Sequence, residues 1–358
     1  MNYMLNTVDN LRFIGKSYEF IPQNIKDEMN IDGVILNSGS KFLKDGKDIM
    51  QLVKLSGLQG QIGKLEYDAL MRKPMFVFLL ASSGYDIKGT KIDLDNRYGV
   101  LCINFNNFVQ AFSLGCWLIK DSCIASTNMY WHNLFNKYTS KLKRDMPVTL
   151  STGDIREISL DNREMKQVIE NMYKVLMYLS PNESKMGEIN SQINNGTKVW
   201  EIDKAISTEG NSFSKALILL QEARRTGVLA TKVEKYCSML ECLYSINKNH
   251  KKNIKNITAV YIGKDECEME QIRINMHEIY SIRSDGTHGD NLKYLEKNSF
   301  RGLRKLVHIL DEYVREVFNK VLEEPKLNYV SSSNEKLKVR SYFMKMAKER
   351  YPNDYMKD

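Results

Sequence analysis

Between Tyr280 and Gly289 the chain reads YSIRSDGTHG, with Arg283 and His288 separated by four residues. Arginine carries a fixed fork of donors that fits a phosphate, and histidine exchanges a proton near neutral pH. Together they supply charge neutralisation and proton transfer. Those are the needs of RNA cleavage in which a 2′-hydroxyl attacks the adjacent phosphate and no metal is obligatory. Ser284, Asp285 and Thr287 add hydroxyls and a carboxylate to the same segment. Gly286 predicts a helix end between the two residues, which lets His288 fold back toward the guanidinium. A spacing this short also arises by chance. Arg301 and His308 show a similar one, but on a single helical stripe they stand about 10 Å apart along the axis, so His308 reads as a helix-face residue.

The second half of the chain must position this pair. Residues Ser212–Arg225 put Phe213, Ala216, Leu217, Leu220 and Ala223 at helical spacing, and Thr231–Ser245 repeat the pattern with Val233, Tyr236, Cys237, Leu240 and Leu243. A third helix over Glu268–Arg283 carries Ile272, Met276, Ile279 and Tyr280. A fourth, Phe300–Leu322, keeps an apolar stripe for six turns. Four amphipathic helices with short connections imply a helical bundle. Glu241 falls against the apolar stripe of the second helix, where a carboxylate needs a partner. Either a nearby lysine takes that place, or Glu241 orients Arg283 or His288. Tyr280, one turn before Arg283, is a core aromatic or an active-site contact. Lys248, Lys251, Lys252 and Lys255 form a basic loop, INKNHKKNIKN, that is either merely solvated or a weak holder of RNA phosphates.

Over residues 213–322 the chain resembles the HEPN superfamily, most closely its Apea-like branch. The resemblance rests on SFSKALILLQEARR, on KVEKYCSMLECLYS, and on IYSIRSDGTHG followed by a long last helix. The family's buried glutamate in an LE-x-L setting is matched by Leu240, Glu241 and Leu243. Its Tyr-x-x-Arg-Ser/Asn-x-x-x-His-Gly run is matched by Tyr280, Arg283, Ser284, His288 and Gly289, while an apolar position of the family is Gly286 here. The resemblance implies a metal-independent endoribonuclease, with Arg283 and His288 catalytic and Glu241, Ser284 and Asp285 orienting them. It implies a homodimer with the two motifs facing, and a toxin-like effector of antiviral defence. A non-catalytic HEPN module that binds RNA or protein is the alternative.

The first half mixes elements. Gly33–Asn37, Pro74–Leu80, Tyr98–Phe105 and Val148–Leu150 are short β-branched or aromatic runs that predict strands, and Asn107–Ile119 and Arg163–Leu179 predict helices. The expected architecture is an α+β N-terminal domain over residues 1–200, followed by an all-α HEPN helical bundle over 208–325. A polar, basic and loosely packed extension over 326–358 completes it. The first domain is the expected place for restraint and for an unidentified trigger. Phe112, Trp117 and Trp131 are expected in the core.

Composition bounds the partners. The 358 residues hold 52 Lys+Arg against 44 Asp+Glu, a net charge of +8 spread over both halves, so a polyanion is tolerated but no polybasic arm recruits it. Six scattered cysteines and five histidines form no zinc pattern, so no metal and no cofactor are expected. Asp9 and Arg12 interrupt any apolar leader, and the longest apolar runs are too short for a bilayer, so a cytoplasmic protein without a membrane partner is expected. Nucleotide-transfer and metal-nuclease motifs fail on spacing: Gly39–Ser40 lacks its Asp-x-Asp, Asp45/Asp48 and Asp93/Asp95 are misplaced, and Asp86-Ile87-Lys88 is too short a match. No glycine-rich phosphate loop of the form Gly-x-x-x-x-Gly-Lys-Ser/Thr is present.

Overall fold

The computed structural model describes residues 2–14, 18–19, 34–36, 41–43, 57–82, 108–133, 138–143, 147–179, 212–288, 291–324, 327 and 333–356. The expected strand Tyr98–Phe105, and the motifs at Gly39–Ser40, Asp45/Asp48, Asp86–Lys88 and Asp93/Asp95, lie outside the described residues. Two compact units emerge. One comprises Met1–Cys116, Cys123–Pro147 and Arg156–Met172; the other comprises Trp117–Ser122, Val148–Ile155 and Tyr173–Asp358.

The first unit is α+β. Strands β1 (Asn2–Thr7), β3 (Tyr18–Glu19), β4 (Val34–Leu36), β5 (Lys41–Leu43), β6 (Met75–Ser82), β7 (Asn128–Asn133) and β8 (Tyr138–Lys143) form an antiparallel sheet in the order β3-β5-β6-β1-β7-β8, with β4 beside the far end of β6. Strands β2 (Leu11–Ile14) and β9 (Ile158–Asp161) make a separate parallel pair. The two-residue period of a strand shows in β6. Met75 and Val77 join Leu5, Tyr130, Leu58, Tyr67 and Leu70 in a core with helices α1 (Leu58–Ile62) and α2 (Lys64–Met71). Phe76 instead meets Phe108 and Phe112 edge-on at 5.4 and 4.8 Å. Those rings belong to α3 (108–119), which crosses α4 (Asn162–Leu179) closely: a Cβ on Gly115 would stand 2.6 Å from the Val168 carbonyl oxygen. Phe112 and Trp131 are buried, as is Trp117 in the second unit.

The second unit is helical: α5 (Ser212–Arg225), α6 (Leu229–Leu243), α7 (His250–Ile262), α8 (Glu266–His288), the short α9 (Lys293–Lys297), α10 (Phe300–Leu322) and α11 (Ser333–Arg350). Two sequence expectations are corrected here. Val148–Leu150 is not a strand, because its polar groups serve a helix end: the Thr149 N–H donates to Arg224 O at 2.7 Å and its hydroxyl to Thr226 O at 2.7 Å, satisfying carbonyls that α5 leaves open. Residues 326–358 are not a loose extension over their described part. Helix α11 buries Val339, Phe343 and Ala347, and the Phe343 ring lies 4.6 Å from Tyr244 and 5.2 Å from Tyr261. Beyond it Asp354 accepts from Asn256 at 2.8 Å and from Arg273 at 2.9 Å, pinning the end of the chain to α7 and α8.

A buried ionic network ties α10 to α6. The Asp311 carboxylate, 1% exposed, accepts from Trp117 Nε1 at 2.9 Å and Tyr236 OH at 2.5 Å and pairs with Arg315. Lys232, fully buried, donates to Ala223 O at 2.7 Å and Thr149 Oγ1 at 3.0 Å. Burial pushes the Lys232 ammonium down to about 8, against the pull of Asp311.

Candidate functional site

Four side chains from three helices meet at Glu241. Helix α6 carries Glu241 in its last turn, two residues before its end. Ser245 and Asn249, both left-handed (φ 56° and 50°), then turn the chain so that His250 opens α7. Helix α8 runs back past them with Tyr280 and Arg283 one turn apart. Arg283 Nη2 reaches both carboxylate oxygens of Glu241, Oε1 at 3.1 Å and Oε2 at 3.2 Å. The Tyr280 hydroxyl donates to Oε1 at 3.1 Å, and His250 Nδ1 stands 3.3 Å from the same atom at an angle that makes no hydrogen bond. The guanidinium also lies 5.7 Å from the centre of the Tyr280 ring.

Burial makes this a strong site for charge. The Glu241 side chain is 13% exposed and that of Arg283 27%, so the pair is largely withdrawn from water and little screened. Burial, reinforced by Cys237 and Glu241, holds the Tyr280 phenol well above its ordinary range, so it stays a neutral donor. Burial likewise raises the Cys237 thiol. Among the described residues, the buried Arg283 Nε and His250 Nδ1 find no hydrogen-bond partner, and a buried polar group left so costs about 1–3 kcal/mol. A guanidinium fixed at one end by a carboxylate, with part of its surface open, is a ready receptor for an oxyanion.

The sequence-derived residues fall into two sets. Glu241, Tyr280 and Arg283 come together. His288 is the last residue of α8, and the helix runs through Gly286 without a break. The expected helix end at Gly286 is therefore corrected: nothing there requires a glycine, since an added Cβ would meet only Ala230 Cβ at an ordinary 3.5 Å. On a continuous helix, five positions separate the Arg283 and His288 backbones by ~7.5 Å along the axis and about 140° around it. Asp285 does not orient Arg283. It is buried and accepts from the Lys293 backbone N–H at 3.0 Å, holding the start of α9. Ser284 is exposed.

The basic segment is also corrected. Lys251, Lys252 and Lys255 belong to α7, and only Lys248 precedes it. Lys251 donates to Ser281 Oγ on α8 at 3.1 Å, and Lys252 covers the Tyr355 ring at 5.0 Å. Lys255 is partly buried, which lowers its ammonium together with the Arg273 charge. His308 contacts Ser151 Oγ at 2.8 Å and lies 3.6 Å from Asp121 Oδ2 and from Glu312 Oε1, a setting separate from Arg283.

Sequence reasoning missed His250. The signal was its place nine positions after Glu241 with only a short connection between, so the two had to fold near one another. It also missed the Asp311 network, although Asp311 sits on the apolar stripe of α10 and Lys232 on that of α6.

Elsewhere, a cleft of about 410 Å³ in the first unit is lined by Asp9, Arg12, Arg72, Lys73 and Glu157 among others. Among the described residues no group of three or more His, Cys, Asp or Glu side chains could hold a metal ion, and no helix is long and apolar enough to cross a membrane. No protein-family model, curated protein or solved structure matches the chain.

Proposed function

We propose that the helical unit is a HEPN-type endoribonuclease that cleaves RNA without a metal. The observation that carries this is Arg283, anchored by the half-buried Glu241 and braced by Tyr280 near the end of the helix that His288 closes. In the proposed step a 2′-oxygen attacks phosphorus and the bond to the 5′-oxygen breaks. One group accepts the 2′-hydroxyl proton and another donates a proton to the departing oxygen, leaving a 2′,3′-cyclic phosphate and a 5′-hydroxyl. Arg283 neutralises the charge that gathers on the phosphoryl oxygens in the transition state. His288 transfers a proton, and a homodimer with its motifs facing brings two such histidines to one strand. A toxin-like role in antiviral defence, with residues 1–200 sensing the trigger, extends the same proposal.

One feature favours a second function. An arginine three-quarters buried on its own carboxylate also serves as a structural strut, as in a non-catalytic binding module. Incubation of the purified protein with single-stranded RNA in EDTA separates the two. Expected is cleavage that yields cyclic phosphate ends and is lost in His288→Ala and Arg283→Ala. Stoichiometric RNA binding without cleavage, even in lysate carrying a trigger, supports the binding module. Cleavage that needs added metal and ignores His288 defeats the proposed chemistry.

A further inference from the structure

Two proton transfers need two groups, and each protomer contributes one, His288, to the mechanism above. We propose that His250 is the second, a general acid for the departing 5′-oxygen with Glu241 as the carboxylate behind it; this rests on the ribonuclease reading of Arg283.

The geometry that points to it is the shared oxygen. Glu241 Oε1 lies 3.3 Å from His250 Nδ1 and 3.1 Å from Arg283 Nη2. The imidazole and the guanidinium therefore sit side by side, both within reach of one phosphodiester. Nδ1 is buried, yet the His250 side chain as a whole is 35% exposed. Part of the side chain is therefore open to solvent next to the guanidinium. A partly exposed imidazole beside an arginine–carboxylate pair is placed to transfer a proton to a phosphodiester held by that arginine. Glu241 on α6 faces His250, Tyr280 and Arg283 on α8 bond that same carboxylate, and the ammonium of the adjacent Lys251 donates to Ser281 Oγ. When the proton on Nε2 passes to the 5′-oxygen, the P–O5′ bond breaks and neutral His250 remains. His288 meanwhile takes the proton of the 2′-hydroxyl, and solvent exchange restores both.

An RNA with sulfur in place of the bridging 5′-oxygen tests this, because a thiolate leaves without being protonated. Expected for His250→Ala is a loss on the order of 10²–10⁴-fold on ordinary RNA, with most of the rate restored on the sulfur substrate. His288→Ala stays slow on both. His250→Asn, which keeps a polar group toward Glu241, should melt like the parent and show the same rescue. Ordinary RNA cleaved by His250→Ala within about threefold of the parent rate overturns the assignment, and so does an equal loss on both substrates. A parent protein that cleaves neither substrate overturns the ribonuclease function itself, and the role of His250 with it.

Discussion

Replacing Glu241 by glutamine tests whether this carboxylate organises the site. The change keeps side-chain length and one acceptor oxygen but removes the charge, and it places an amide N–H₂ where two donors now converge. Arg283 loses a charge-assisted contact to two oxygens and competes with Tyr280 for the one acceptor that remains. A hydrogen bond to a charged group contributes about 1.5–3 kcal/mol, and removing one partner of a fully buried pair costs about 3–5 kcal/mol. Arg283 keeps 27% of its side-chain exposure, so water recovers part of that, and the expected cost for Glu241→Gln is about 2 kcal/mol. Urea unfolding followed by far-UV circular dichroism measures it. The decisive number is the coupling in a double-mutant cycle with Arg283→Met. If the two groups act as a pair, glutamine at 241 should cost at least about 1 kcal/mol less once the guanidinium is gone. Additive effects, or a single-variant cost below about 0.5 kcal/mol, would refute the idea that Glu241 holds Arg283.

Three further outcomes are expected. Gly286→Ala should raise helical stability by up to about 1 kcal/mol in thermal or urea melts, because the helix is continuous there and the new methyl meets only Ala230; a loss of more than about 1 kcal/mol contradicts the uninterrupted helix. Phe343→Ala should cost about 3–5 kcal/mol, as for other fully buried phenylalanines, given its packing on Tyr244 and Tyr261; a negligible change means α11 is not part of the core. For Lys232 the folded ammonium titrates at about 8 against 10.5 when unfolded, so between those values the unfolded chain holds more protons. Raising the pH therefore relieves the burial penalty, and the stability of the parent relative to Lys232→Met should rise by about 2 kcal/mol from pH 7 to 9.5. A difference that is flat or falls with pH rejects a lysine buried at the expense of its charge.

Legibility in the sequence followed the width of the apolar stripe. Helices α5, α6 and α10 bury broad faces, and their periodicity located them within a few residues. Helix α7 was passed over although Ile254, Ile257, Tyr261 and Ile262 keep helical spacing, because the lysines of its first turns read as a solvated loop. Helix α11 buries Val339, Phe343 and Ala347 at intervals of four, a stripe one residue wide between charged neighbours, too narrow to stand out. Val148–Leu150 has strand composition but is extended in order to cap α5, and composition does not distinguish a sheet partner from a helix end. Gly286 was misjudged for a related reason. A glycine marks a helix end only where a left-handed residue is needed, and here the helix goes on through an ordinary conformation.

The candidate site divides along the same line. Glu241 was legible because a carboxylate lies against an apolar stripe, and Arg283 because of its short spacing from His288. Solvation alone requires such a carboxylate to find a partner. His250 was not legible, since a histidine among lysines looks solvated until the left-handed Ser245 and Asn249 are seen to turn α7 back over α6. That turn decides what the site can do. Without it, Glu241 is a brace for one arginine. With it, the carboxylate oxygen that lies 3.1 Å from the Arg283 guanidinium also lies 3.3 Å from the His250 imidazole, within a single chain. Dimerisation would then be needed to bring His288 to the strand, and not to provide the acid, so a forced monomer and His288→Ala should fail at the same step, whereas His250→Ala fails at the other.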